Sequence, residues 1–247
     1  MEIREPTQAP LVIGHRGAVG YAPENTLAAF AKGFELAAEW VETDVRATKD
    51  GTYVLMHDAT VDRTTNGTGH VAQMAIEEIK DLDAGSWFDV GYKGVGIPTL
   101  GDLLAWAKDK IGVCLDLHPS LEPKDVEKIA HQVQSYDLAD RSLVISSEFE
   151  HLIHAKLNCP ELTTGILFPS ESDDIYEQVT RNDIDFLHPN RHIVSPALIE
   201  KAHNAGIPVA ASVFSDEHWI SERLEWGLDI INCDHPDLPQ KVWSSQS

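Results

Sequence analysis

One stretch of the chain, residues 11–47, reads LVIGHRGAVGYAPENTLAAFAKGFELAAEWVETDVRA. An apolar run at 11–15 is followed by an alanine-rich segment with helical spacing at 26–39, and then by a second β-rich run at 40–46. Two strands joined by a crossover helix form the unit from which parallel sheets are built. The stretch therefore predicts the beginning of an α/β fold.

The same alternation continues along nearly the whole chain. Further β-rich runs lie at 53–57, 112–117, 143–146, 164–168, 186–188, 209–214 and 230–233, with helical patterns between most of them. This count predicts a TIM-type (β/α)8 barrel. Because barrels of 247 residues commonly form one unit, we expect a single barrel domain covering 1–247.

One segment interrupts this rhythm. Residues 59–96 are rich in glycine and contain a single short helical pattern, at 76–82. A connection of this length is usually functional or an inserted subdomain. We therefore expect a small insertion that caps one face of the barrel.

Composition excludes several classes of function. The formal net charge of -21 argues against nucleic acid as a partner, because phosphate backbones are bound mainly by clusters of Lys and Arg. No run approaches the roughly 18 apolar residues that a membrane-spanning helix needs. The N-terminal sequence lacks the basic start and apolar stretch of a secretory signal, which predicts a cytoplasmic protein. The three cysteines are too widely spaced to indicate a zinc motif or a disulfide framework.

Acidic side chains occupy matching places in two of the predicted strands. Residues two apart in a strand share a face, so Glu42 and Asp44 lie on one side of theirs, and Asp116 lies with His118 on one side of the strand at 112–117. Three carboxylates brought together would repel one another unless a cation lay between them. Oxygen ligands favour Mg2+ or Ca2+ over zinc. The alternative, acids exposed to solvent at a strand end, stays open at this point.

Two histidines each end a strand-like run, His15 in LVIGH and His57 in YVLMH. In a parallel barrel the carboxyl ends of the strands open onto one face, so both imidazoles are candidates for general acid and general base. Arg16 follows His15 and offers a planar fork of donors for phosphate oxygens. A structural hydrogen-bonding role is the alternative for each histidine.

Seven short motifs, taken in order and spacing, resemble the glycerophosphodiester phosphodiesterase family: GHRG, PENT, ETD, DGTYVLMHD, DRTTNGTG, DAGSWF and IPTL. The resemblance implies a TIM-type barrel with a small insertion, and an enzyme of glycerol and lipid metabolism that hydrolyses glycerophosphodiesters to glycerol 3-phosphate and an alcohol. It implies that His15 and His57 are the acid–base pair and that Arg16 contacts phosphate. It also implies one divalent metal ion, with the ligands Glu42, Asp44 and Asp116.

The chain departs from the family pattern at several positions. Asp116 and His118 stand where relatives usually have Glu and Lys, and Ser212 stands where they have an aromatic residue. We expect His118 still to bind substrate phosphate, drawn into its charged form by the bound anion. Two alternatives remain: a lysophospholipase D-type or other phosphodiesterase with a changed alcohol group, and a barrel homologue without catalysis.

Overall fold

The computed structural model describes residues 3–5, 8–172 and 174–246. The strands are β1 (Leu11–Gly14), β2 (Trp40–Ala47), β3 (Tyr53–Leu55), β4 (Gly112–Leu117), β5 (Ser142–Ser146), β6 (Thr163–Phe168), β7 (Phe186–Pro189), β8 (Ala210–Phe214) and β9 (Ile230–Cys233). The α-helices are α1 (Leu27–Glu35), α2 (Ile76–Lys80), α3 (Leu100–Ala107), α4 (Pro123–Ser135), α5 (Phe149–Asn158), α6 (Ile175–Arg181), α7 (Pro196–Asn204), α8 (Glu217–Glu225) and α9 (Asp237–Gln246).

Eight of these strands form a parallel barrel. They are hydrogen-bonded in the order β7-β6-β5-β4-β2-β1-β9-β8, and parallel bridges Leu187–Val209 and Asn190–Ser212 join β7 to β8. Because all eight strands run the same way, their carboxyl ends meet at one face of the ring. The predicted TIM-type barrel is confirmed.

The ninth strand, β3, is not part of the ring. It pairs antiparallel with the end of β2, with Val45 opposite Leu55 and Ala47 opposite Tyr53. Counting this run with the barrel strands was therefore wrong. The chain passes beyond the carboxyl end of β2, turns, and comes back along it, because Thr48–Thr52 forms a tight turn with the Thr48 side chain accepting from the Thr52 backbone N–H.

Apolar side chains alternate between two layers, as the period of two in a strand requires. The inner layer fills the barrel with residues including Ile13, Cys114, Ile145 and Phe186. The outer layer, which includes Val41, Leu115 and Leu117, packs against the surrounding helices. Asn232, in register with Ile13, is a buried polar residue at the same level of the ring.

The segment between β3 and α3 forms a small structure with its own apolar cluster: Val54, Met56, Val61, Val71, Ile79, Ala84 and Ile97. The helical pattern predicted at 76–82 corresponds to α2. Among the described residues, no helix has both the length and the apolar character needed to cross a membrane. The cysteines Cys114, Cys159 and Cys233 are buried and unpaired.

Candidate active site

The register between β2 and β4 brings the three predicted acids together. Asp44 and Asp116 are direct partners across the two strands, and Glu42 precedes Asp44 by two residues on the same face. One ligand oxygen from each of the three carboxylates lies within 4.8 Å of the others. The side chains of Glu42 and Asp44 are almost wholly buried. These acids are therefore not the exposed strand-end pair that the sequence had left open.

Burial makes the mutual repulsion of these carboxylates strong. Burial, followed by the charges of Asp44 and Asp116, raises the pKa of Glu42 well above its usual range. Burial and the charge of Asp44 raise the pKa of Asp116 to about 8. The raised pKa values show that the ionised forms of these acids are destabilised in the metal-free protein. A hard divalent cation bound by the carboxylate oxygens would relieve this repulsion.

The loop between β1 and α1 holds two of these carboxylates in place. The backbone N–H of Arg16 donates to Glu42 Oε2 (2.8 Å), and Asn25 Nδ2 donates to Asp44 Oδ2 (2.8 Å). The side-chain oxygen of Asn25, Oδ1, accepts a hydrogen bond from the Thr43 hydroxyl, so both ends of this side-chain amide are held. Arg16 and Asn25 both have positive φ angles, 46° and 57°, which turn the loop back over the ring.

His15 lies at the end of β1 and is oriented by an acid from the far end of the chain. Its Nδ1 is 2.7 Å from Asp234 Oδ1, just after β9, and its backbone N–H donates to the Cys233 carbonyl. The pairing of β1 with β9 places the two side chains side by side. With Nδ1–H donating to a carboxylate, the neutral ring keeps its lone pair on Nε2.

His57 reaches the same face by a different route from the one predicted. It does not end a barrel strand, because β3 is antiparallel; instead, the N–H of Met56 donates to the Asp44 carbonyl and brings His57 beside the acidic cluster. Its Nδ1 is 2.7 Å from Asp58 Oδ1. Arg63 donates through Nε to Asp58 Oδ2 (2.7 Å), and this hydrogen bond holds the pKa of Asp58 well below its usual range.

Arg16 lies at the site and is already engaged with acids. Its Nη1 donates to Glu24 Oε1 (2.7 Å), and its Nε is 3.4 Å from Asp44 Oδ2. Glu24 also accepts hydrogen bonds from both terminal nitrogens of Arg63, each at 2.8 Å. Arg16 therefore connects the acidic cluster to the network around His57.

His118 follows Asp116 by two residues, and its ring centroid is 6.2 Å from that of His57. Burial and the nearby Arg46 guanidinium lower the pKa of His118. Its Nε2 is 2.8 Å from Arg46 Nη2. A guanidinium only donates, so this nitrogen accepts, and the ring is neutral. His118 is therefore neutral in the protein without a bound anion, and its contact with substrate phosphate stays a prediction.

A small cavity of about 200 Å³ opens on the opposite half of the same face, between the ends of β5, β6, β7 and β8. His188 lines it, with Nε2 2.8 Å from the Ser212 hydroxyl. Burial lowers the pKa of His188 to about 3, so the ring is neutral. Ser147 and Asn190 also line this cavity. The half of this barrel face that is formed by the ends of β5 to β8 therefore carries mainly neutral groups.

Several residues that build the site were missed from the sequence: Glu24, Asn25, Arg46, Arg63 and Asp234. One of them carried a signal, since Arg46 shares the inner face of β2 with Glu42 and Asp44. The others act through contacts between segments far apart in sequence, such as the 219 positions that separate His15 from Asp234.

Comparison with known proteins agrees with this geometry. The sequence model of the family described as "Glycerophosphoryl diester phosphodiesterase family" matches residues 15–238 of this chain. A glycerophosphodiester phosphodiesterase of Caldanaerobacter subterraneus is 34% identical over 92% of this chain and 95% of its own. A solved glycerophosphodiester phosphodiesterase from Agrobacterium tumefaciens has a TM-score of 0.81 at 30% identity, covering 94% of this chain and 99% of its own.

A phosphodiesterase of Oleispira antarctica, solved in complex with the product sn-glycerol-3-phosphate, has a TM-score of 0.86 at 29% identity. The alignment covers 96% of this chain and 97% of that one. The family predicted from seven short motifs is thus confirmed over most of the sequence. This chain belongs to the glycerophosphoryl diester phosphodiesterase family.

Proposed function

We propose that this protein is a metal-dependent glycerophosphodiester phosphodiesterase that releases glycerol 3-phosphate and an alcohol. The observation that carries the proposal is the geometry of one face of the barrel. Three carboxylates, two of them on buried residues, each offer one ligand oxygen within 4.8 Å of the others there. Beside them are two imidazoles, each bound at Nδ1 by its own carboxylate. The Oleispira antarctica relative in complex with sn-glycerol-3-phosphate supports the choice of substrate class.

Glu42, Asp44 and Asp116 would hold one divalent cation, Mg2+ or Ca2+, since all their donor atoms are oxygens. When bound, this cation supplies positive charge for the nonbridging oxygens of the diester. Glu42 and Asp44 are held beforehand by the N–H of Arg16 and by Asn25, so these two carboxylates need little rearrangement. Arg16, tied to Glu24 at one nitrogen, adds a second positive charge beside the phosphate.

His15 and His57 transfer the protons of the reaction. Each ring is bound at Nδ1 by a carboxylate, so proton transfer takes place at Nε2. One ring, neutral with a lone pair on Nε2, takes the proton of the attacking hydroxyl, and the other, in its imidazolium form, gives its Nε2 proton to the leaving alcohol. The paired acids Asp234 and Asp58 also stabilise the charged imidazolium that forms during transfer. A glycerol hydroxyl held next to the phosphorus gains the advantage of intramolecular attack. Its attack forms a cyclic phosphate as the bond to the alcohol breaks, and water then opens the cyclic phosphate to glycerol 3-phosphate.

The experiment is to incubate the purified protein with glycerophosphocholine and glycerophosphoethanolamine, with Mg2+, with Ca2+ and with EDTA, and to measure glycerol 3-phosphate. We expect release that depends on the metal. His15→Asn and His57→Asn should each lower kcat by about 10²- to 10⁴-fold. The exposed His131 on α4 offers the matched control, His131→Asn, which should leave kcat unchanged.

Other outcomes distinguish the alternatives. Release of phosphate-containing products only from lysophospholipids would favour a lysophospholipase D-type enzyme, in which the aromatic cluster of Trp87, Phe88 and Tyr92 contacts the acyl chain. No release from any diester, with either metal, would contradict the proposal and leave a barrel that binds without turnover.

A further inference from the structure

Arg46 lies on the inner face of β2, two residues beyond Asp44, and its side chain is buried. Its Nε donates to the carbonyl oxygens of Met56 (3.1 Å) and His57 (2.9 Å), and its Nη2 contacts the His57 carbonyl and His118 Nε2. The guanidinium thus joins three segments: the end of β2, the return from β3, and the end of β4.

The contact with His118 fixes where that ring carries its proton. Every nitrogen of a guanidinium is a donor, so His118 Nε2, 2.8 Å from Arg46 Nη2, must be the acceptor. A neutral imidazole with an unprotonated Nε2 carries its hydrogen on Nδ1. Among the described residues, no hydrogen bond is made by Nδ1 of His118. This atom is also not one of the buried polar atoms that lack a partner, so it is open to a ligand. The ring therefore offers an unused N–H.

This arrangement is opposite to that of the other two histidines. His15 and His57 are bound at Nδ1 by carboxylates, which accept, and they keep a lone pair on Nε2. His118 is bound by a donor and keeps a hydrogen. A hydrogen-bond donor beside the acidic cluster suits a phosphate oxygen, whereas a lone pair at the same place would repel one.

We propose that Arg46 is a positioning residue that fixes His118 as a neutral hydrogen-bond donor, with Nδ1–H available to a nonbridging oxygen of the bound phosphodiester. The inference rests on the proposed function, because the diester is the acceptor. Arg46 also holds the His57 carbonyl, so that the His57 and His118 rings keep their edge-to-face arrangement. Arg46 acts by orienting the His118 ring and needs no direct contact with substrate.

The first test is spectroscopic and does not depend on turnover. Long-range proton–nitrogen correlation spectra of histidine-labelled protein, recorded with Mg2+ present, distinguish a protonated Nδ1 from a protonated Nε2. The His118 signals are assigned by their loss in His118→Asn. We expect Nδ1–H in the wild type and a mixture of both tautomers in Arg46→Met. The Arg181→Met variant, which changes an arginine on α6, is the matched control and should leave the signals unchanged.

The second test is a double-mutant cycle on glycerophosphodiester hydrolysis. Arg46→Met should lower kcat/KM about 10- to 100-fold in the wild type, but by less than about threefold in the His118→Asn background, because coupled residues lose their effects together. Arg46→Lys keeps the charge with fewer aligned donors, and we expect an intermediate loss. Arg46→Gln replaces Arg46→Met in the spectra if that variant does not fold, because its neutral amide can donate or accept and so does not fix Nε2 as the acceptor.

Two results would overturn the inference: an unchanged Nδ1–H tautomer in Arg46→Met, or in Arg46→Gln where it replaces that variant, and an equal loss of kcat/KM in both backgrounds. Failure of the proposed function is a separate result. In that case the wild type hydrolyses no glycerophosphodiester, while the tautomer of His118 still responds to Arg46.

Discussion

Three imidazoles around the acidic cluster each have one nitrogen bound by a charged side chain, and the sign of that charge sets what the other nitrogen offers. Asp234 and Asp58 leave lone pairs on His15 and His57, and Arg46 leaves a hydrogen on His118. The chemistry of the face is therefore set as much by the partners of the histidines as by the histidines themselves.

Asp234→Asn tests this dependence at His15. The amide keeps the shape of the carboxylate but loses the charge that stabilises the imidazolium, so we expect kcat to fall about 10²-fold with a small change in KM. Asp237→Asn, three residues later and bonded to the Tyr21 hydroxyl instead, is the control and should retain activity. Equal kcat values for the two variants would contradict the assigned role of Asp234.

Asp116 should lower the Tm when no metal ion is bound and raise it when one is bound. In EDTA the carboxylates repel one another, so Asp116→Asn should raise Tm relative to the wild type by about 2–8 °C, for a relief on the order of 1–2 kcal/mol. With saturating Mg2+ or Ca2+ the order should invert, because only the wild type gains from the cation. Thermal unfolding with and without metal checks this, with the exposed Asp81→Asn as the control.

The same carboxylate predicts the sign of a pH effect in the metal-free protein. The pKa of Asp116 is about 8 in the fold, above its value of roughly 4 in an unfolded chain. Its contribution to stability is therefore fully present below pH 4 and is lost as pH rises through about 8. In EDTA, Tm should fall between pH 6 and pH 9 more steeply for the wild type than for Asp116→Asn. Parallel curves would show that Asp116 is not the titrating group.

At the scale of elements, the loop between β1 and α1 is pressed against the helix that follows it. Gly17 has φ of 94°, and a Cβ there would lie 2.5 Å from the backbone carbon of Ala29. The close approach lets Thr26 cap α1 and lets Arg16 and Asn25 reach the carboxylates. The GHRG and PENT motifs are thus two ends of one tightly packed turn.

Gly17→Ala should therefore cost much more than an ordinary glycine substitution. We expect a loss of about 2–5 kcal/mol in the free energy of unfolding, since the methyl group collides with backbone and the φ angle disfavours a side chain. Gly51→Ala has a similar φ, 78°, but open space around it, and should cost about 1 kcal/mol. Chemical denaturation measures both, and equal losses would contradict the importance of the contact with Ala29.

Most barrel elements could be predicted because each strand has a recognisable local pattern of apolar residues. The observed bounds of β4 and β9 are identical to the predicted ones. The orientation of β3 could not, because a run of three apolar residues reads the same in either direction, and pairing depends on the turn before it. The helix α9 was also missed; Pro239 lies within its first turn, where proline is tolerated but obscures the pattern.

The acids were predictable from the period of two in β2 and β4, whereas their partners were not. Asp44 faces Asp116 because of strand register, which the spacing implies. Asn25 and Asp234 meet their targets only through tertiary contacts across the barrel mouth. Local sequence thus indicated which acids lie together, but not which side chains hold them in place.

At the scale of the whole molecule, the net charge of -21 opposes the approach of an anion. Near the mouth of the barrel, Arg16 and Arg63 are paired with Glu24, and Arg46 donates to the carbonyl oxygens of Met56 and His57. Salt screens the long-range repulsion more than it weakens these close contacts.

We therefore expect kcat/KM for glycerophosphoglycerol, a net anion, to rise about two- to tenfold as NaCl increases from low to physiological concentration at saturating metal. Glycerophosphocholine carries no net charge and serves as the matched control, with little change expected. A decrease for the anionic substrate would show that local attraction outweighs the field of the protein.

The ring closes where β9 joins β1, and that joint also delivers Asp234 to His15. During synthesis, a chain that ends before residue 230 already contains every carboxylate of the acidic cluster, yet its first imidazole has no orienting partner. The proposed acid–base role of His15 therefore depends on the last strand of the barrel, because only the pairing of β9 with β1 brings Asp234 to the imidazole.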